Sequence, residues 1–106
     1  MLRTNLLVVV TSFLILLTVS AVAGTDPTRG KALAADCVAC HGEDGKGDDD
    51  IPAIAGRDEA TLVTFLKAFK SGERASEADV MLEYTADLTD QDMIDIAAFF
   101  SSLPVN

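Results

Sequence analysis

The stretch Cys37-Val38-Ala39-Cys40-His41 decides how this chain is read. Two cysteines three apart, followed at once by histidine, form the pattern that attaches a c-type haem. Each thiol adds across a vinyl group of the porphyrin and becomes a thioether. Three residues is close to one helical turn, so both sulfurs face the same side. His41 comes next, lies under the iron, and binds it through one ring nitrogen. The pentapeptide thus fixes one ring against the chain.

Two other readings fit less well. A structural zinc site takes four Cys or His ligands. This chain has two cysteines and one histidine, all inside these five positions. A thiol–disulfide site sits on a strand–helix unit, and no β-rich run precedes Cys37.

Met1-Leu2-Arg3 is a short basic lead, and Leu6 to Val19 is apolar except for threonine and serine. Ser20-Ala21-Val22-Ala23 follows, with small residues on both sides of Val22. Residues 1–23 therefore read as a secretory signal cleaved after Ala23, and residues 24–106 as one domain. An uncleaved segment would be the one membrane contact, but the apolar run is shorter than the roughly 20 residues a spanning helix takes. Export to the bacterial periplasm fits the motif, because free thiols outside the cytoplasm tend to oxidise and c-type haem is attached there.

The net charge is −9, and loss of Arg3 with the signal makes the remainder more negative. Such a surface excludes nucleic acid and favours partners with a basic face. A domain this small buries little apolar surface. With both cysteines on haem no disulfide remains, so the porphyrin becomes the centre of the core.

The rest of residues 24–106 reads as helices and loops. Asp26-Pro27 starts a helix expected to run to about Asp36, with Gly30 as a site of close helix approach. Gly42 to Asp50 has loop composition, and its three consecutive aspartates read as a solvated run, since EF-hand spacing is missing. Pro52 lacks a backbone donor but keeps its carbonyl, so it is the candidate acceptor for the second N–H of His41. Asp58 caps a helix carrying Leu62, Phe65, Leu66 and Phe69 at helical spacing, and Gly72 ends it. Arg57 and Lys67 are near enough to meet a porphyrin carboxylate, but read as ordinary surface charge. Thr89-Asp90-Gln91-Asp92 matches a capping box. It opens a last helix with Met93, Ile96, Ala97, Phe100 and Leu103 on one face, stopped by Pro104. The fold class is all-α, with about four helices around one covalently bound haem.

The sixth position on the iron needs a second side chain. A second histidine is not available, and methionine thioether is the next common choice. Met1 leaves with the signal. Met93 is in register with the apolar face of the last helix, which claims it for packing. Met81 stands in a loop-rich region and is the expected ligand, so the metal ligands are His41 and Met81.

These residues resemble the small class I cytochromes c over about Pro27 to Leu103. The resemblance rests on Gly30, Cys37-Val38-Ala39-Cys40-His41-Gly42, Pro52-Ala53-Ile54-Ala55-Gly56, Phe69-Lys70-Ser71-Gly72, Met81, and Leu88-Thr89-Asp90-Gln91-Asp92 with Ala97 to Leu103. The last block is similar to single halves of dihaem cytochromes c. There the methionine ligand precedes the leucine before the capping box by seven residues, the spacing of Met81 from Leu88. The resemblance implies a cytochrome c fold over residues 24–106. It also implies that Gly30 packs on Phe99 or Phe100, and that Pro52 accepts from His41. Tyr84 stands where the family often has a second methionine, a position not needed for ligation.

The expected function is that of an exported monohaem electron carrier, not an enzyme, passing one electron between redox proteins. The Phe69-Lys70-Ser71-Gly72-Glu73 stretch also resembles the cytochrome subunit of flavocytochrome c sulfide dehydrogenase, the main alternative. A haem sensor or catalyst with an open sixth site is disfavoured, since no distal histidine or arginine accompanies Met81.

Overall fold

The computed structural model describes residues 24–106; the expected signal segment, residues 1–23, lies outside them. The described residues form five helices and no strand. They are α1 (Pro27–Leu33), α2 (Ala35–His41), α3 (Glu59–Ser71), α4 (Val80–Thr85) and α5 (Asp90–Ser101), with one 3-10 turn at Glu77–Asp79 before α4. The all-α expectation holds, and the starts of α1, α3 and α5 have a local cause. The Asp26 carboxylate accepts from Arg29 N at 3.0 Å, with Pro27 in the first turn. Asp58 accepts from Thr61 N at 3.0 Å. Thr89 and Asp92 cap each other's backbone N–H at 3.0 and 3.1 Å, a complete capping box.

Two boundaries differ from expectation. The first helix does not stop near Asp36. It bends at Ala34, whose side chain is fully buried, and continues as α2 to His41. Ala34 N still donates to Gly30 O and Val38 N to Ala34 O, so the helical ladder survives the bend. The haem-attachment motif is therefore helical throughout. Gly42 ends it with φ 85° and ψ 153°, a conformation close to one that only glycine adopts freely. Met81, expected in a loop, lies in the first turn of α4.

The core is the crossing of α1 over α5. Met93, Ile96, Ala97, Ala98, Phe99 and Phe100 are all buried on α5. Gly30 meets the backbone of Asp95 and Ile96: a β-carbon there would overlap the Asp95 carbonyl. The resemblance implied contact with Phe99 or Phe100; the nearest atoms are instead main chain. Side-chain volume at residue 30 is what would hold the two helices apart.

The crossing is also locked by charge. Asp95, 1% exposed, accepts from Asp26 N at 2.9 Å, Arg29 Nη1 at 2.8 Å and Gln91 Nε2 at 2.9 Å. The other arm of Arg29 donates to Asp92. Every oxygen of this buried carboxylate has a donor, which is the condition for burying it at tolerable cost. The Arg29 hydrogen bond holds the Asp95 carboxyl below the usual carboxylate range, against the opposing effect of burial. Backbone N–H donation from Thr89, then Arg29, does the same for Asp92.

Gly30→Ala should destabilise the haem-loaded protein by about 1–3 kcal/mol in denaturant titration, the range for overpacking. Alanine is the better helix former by about 1 kcal/mol, so a gain in stability would show that the crossing is not tight. The carboxylate lock has its own pH signature. A native pKa below the unfolded value contributes stability that is complete above about pH 4 and lost as pH falls through the native value. Thermal midpoints should therefore drop below about pH 4, and Asp95→Asn should flatten that drop while lowering the midpoint at neutral pH.

Candidate functional site

α2, α3, α4 and α5, with the loop after His41, enclose a cavity of about 620 Å³. Its size falls in the range of cofactor and ligand sites. Cys37, Cys40 and His41 line it from α2, Met81 from α4, and Pro52 from the loop. All five site residues expected from the sequence therefore meet at one cavity.

The His41 ring is held in place by the loop. His41 is buried, and its Nδ1 lies 2.9 Å from Pro52 O. A carbonyl only accepts, so Nδ1 carries a proton, and in the neutral ring Nε2 then keeps the lone pair that binds a metal. The loop is ordered to deliver that carbonyl. Gly47 N donates to His41 O at 2.7 Å, and Ile54 N and Ala55 N both donate to Gly45 O. Asp48 accepts from Asp50 N and Ile51 N at 2.9 and 2.8 Å, so the first of the three aspartates shapes a turn. Gly56 N donates to Phe100 O at 2.9 Å and ties the loop to α5.

The α3 wall answers to the apolar stripe read from the sequence. Leu62 is buried, while Phe65, Leu66 and Phe69 are half-buried and face the cavity. α5 adds Ile96, Ala97 and Phe100 to the same wall. A flat apolar ring would find apolar contact on both of these elements.

The two methionines are treated differently by the fold. Met93 is 1% exposed and lies in the helix core, and it is not part of the cavity wall. Met81 is half-buried and is part of it. Met81 N donates to Ser76 Oγ at 2.9 Å, and Met81 O accepts from the buried Thr85 hydroxyl at 2.7 Å. Its backbone is thus held from both sides. The preceding Ala78 and Asp79 both have left-handed backbone, φ 53° and 54°.

The cysteines suit attachment better than thiol chemistry. Both are free, Cys40 exposed and Cys37 half-buried. Burial, then Asp36, pushes the Cys37 thiol up. A thiol–disulfide nucleophile needs the opposite shift. They lie three apart on α2, on the side that lines the cavity. The donor set, the apolar walls and the volume fit a covalently bound porphyrin. Sequence reading missed Arg29, Asp92 and Asp95 as a unit, and it missed Arg74, which faces the cavity with its guanidinium over Phe65.

Comparison with known proteins agrees with this geometry. The model of the cytochrome c family matches residues 27–104. Cytochrome c-554(548) of Halomonas halodenitrificans is 38% identical over 79 residues, which covers 73% of this chain and 95% of that protein. The cytochrome subunit of sulfide dehydrogenase from Chlorobaculum tepidum is 35% identical over 83 residues, covering 78% of this chain and 74% of that protein. Among solved structures, cytochrome c4 of Acidithiobacillus ferrooxidans superposes with a TM-score of 0.70 at 29% identity. The overlap there takes in 79% of this chain and 53% of that one, so the chain spans about half of cytochrome c4. The chain belongs to the cytochrome c family and is an electron-transfer protein of that family.

Proposed function

We propose that this protein is an exported monohaem electron carrier whose iron is held by His41 and Met81. The observation that carries the reading is the convergence of Cys37, Cys40, His41 and Met81 on one apolar cavity. When bound, haem c supplies a one-electron iron(III)/iron(II) couple. Cys37 and Cys40 tether the ring as thioethers. His41 offers Nε2, and Pro52 O holds the imidazole in the required tautomer through Nδ1. Met81 offers a soft, neutral sulfur, which favours reduced iron and a relatively high potential. With His41 and Met81 both holding the iron, the site would exchange electrons and leave no position for substrate.

Residues 1–23 have the pattern of a cleaved export signal, which supports a periplasmic carrier. The acidic surface suits a redox partner with a basic face, and salt would weaken that attraction. A second reading is a fixed subunit of a periplasmic dehydrogenase. The similarity to the sulfide dehydrogenase cytochrome subunit favours it, and it changes the partner while keeping the haem chemistry.

The test of the central reading is chemical. After export and denaturation, acidified organic solvent should leave the haem on the polypeptide. The double variant Cys37→Ala, Cys40→Ala should release it and accumulate poorly. Colour that moves into the solvent from the unaltered protein would refute covalent attachment.

The axial assignment is tested separately. Met81→Ala should lower the reduction potential, abolish the far-red sulfur-to-iron absorption band of the oxidised protein, and admit cyanide. Met93→Leu should keep the band and, as a volume-conserving swap, cost less than about 1.5 kcal/mol of stability. The reverse pattern would exchange the two methionines.

A further inference from the structure

The carbonyl of Pro52 has a second close neighbour besides the His41 ring. A β-carbon built on Gly47 would overlap Ile51 O and lie 2.8 Å from Pro52 O. Both oxygens are main chain, so neither moves without turning a planar peptide. Gly47 is itself held in place. Its N–H donates to His41 O at 2.7 Å, and its φ of 61° lies in the left-handed region.

The chain then doubles back. Asp48 N donates to Ile51 O at 2.9 Å, and the Asp48 carboxylate accepts from Asp50 N and Ile51 N. This turn lays Ile51 and Pro52 against Gly47. One end of the small loop is bonded to the main chain of His41, and the other carries the acceptor for its ring. The two ends meet across the bare α-carbon of residue 47. Neither Gly47 nor Asp48 lines the cavity, so any influence on the site passes through His41 and Pro52.

We propose that Gly47 is a positioning residue for His41: the room left by its missing side chain sets the length of the hydrogen bond from His41 Nδ1 to Pro52 O, and so tunes the reduction potential. The proposal rests on the reading of His41 as an iron ligand. At 2.9 Å the bond has the ordinary optimum length for an N–H donor and an oxygen acceptor. Gly47 is tied to His41 through its N–H, so a side chain at residue 47 makes room by moving the Pro52 carbonyl away from the histidine. The bond lengthens. A ligating imidazole that gives its second N–H to a good acceptor is the more basic donor. With that bond lengthened, His41 gives less electron density to the iron. Oxidised iron loses more by this than reduced iron, and the potential rises.

The experiment takes two readings on the haem-loaded protein. One is the midpoint potential. The other is the rate at which the His41 Nδ1 proton exchanges with solvent, followed by NMR in the reduced state. Gly47→Ala should raise the potential and speed the exchange. Gly47→Asn adds the same β-carbon but suits left-handed backbone better, so it should shift both readings as far. Gly72→Ala strains another left-handed glycine, φ 79°, with open space around it. It should leave both readings at the parent values. Asp48→Ala opens the turn without any overlap and should move both readings in the direction of Gly47→Ala. Asp48→Asn removes the charge but keeps the acceptor oxygen, and should keep the parent exchange rate. Parent values in both Gly47 variants would overturn the proposal. A shift in Gly47→Ala that Gly47→Asn loses would assign the effect to backbone strain and overturn it as well. If neither Gly47 variant folds, parent exchange in Asp48→Ala overturns it. A parent protein whose His41 protons lack the ring-current shift of a haem ligand fails the underlying reading instead, and the same spectra tell the two failures apart.

Discussion

Gly30 sits against the main chain of Asp95 and Ile96, and the remaining architecture is arranged around that approach. Hydrogen as a side chain lets two helices cross with backbone almost in contact. The same closeness brings Asp26 and Arg29 within hydrogen-bond reach of Asp95. A shape constraint and an electrostatic one therefore act at the same place. Neither is sufficient alone: a buried carboxylate without its donors would push the helices apart, and donors without the close approach would not reach it.

From that crossing the cavity inherits its geometry. α2 continues α1 through the bend at Ala34, so the direction of α1 sets where Cys37, Cys40 and His41 point. α5 supplies the apolar floor through Ile96, Ala97 and Phe100, and also holds the loop through Phe100 O. Through that loop Pro52 fixes the His41 ring. The ring orientation thus depends on residues far from it in sequence. A single change at the crossing would be felt at the imidazole without touching it.

Much of this was legible in the residues because its causes are local. Proline after Asp26, the Thr89–Asp92 box and the Asp58 cap act within one helical turn, and they mark the helix starts faithfully. The attachment motif is covalent chemistry at fixed spacing, so it needs no tertiary context. The misses have the opposite character. The run from α1 into α2 has no cap or breaker at Asp36, and Ala34 bends because it is packed, which sequence does not display. Asp95 carries no local sign of its role, because its partner Arg29 comes from a segment 66 residues away. Arg74 follows a helix that ends at Gly72 and reads as loop. Only its chain reversal, with Arg74 N donating to Ala68 O, lays it over Phe65.

The left-handed pair Ala78–Asp79 gives the Met81 segment a different standing from the crossing helices. An L-residue in that conformation costs roughly 1–2 kcal/mol, and here two stand in succession without glycine's freedom. α4 is six residues long, too short to hold itself, and it leans on Ser76, Thr85 and α3. A segment that carries stored strain and little burial forms the low-stability end of a fold's opening hierarchy. Opening of residues 76–85 would relax the strained pair while α1 and α5 stay locked. The crossing that positions the attachment motif and the segment that carries Met81 would then differ in their opening free energy.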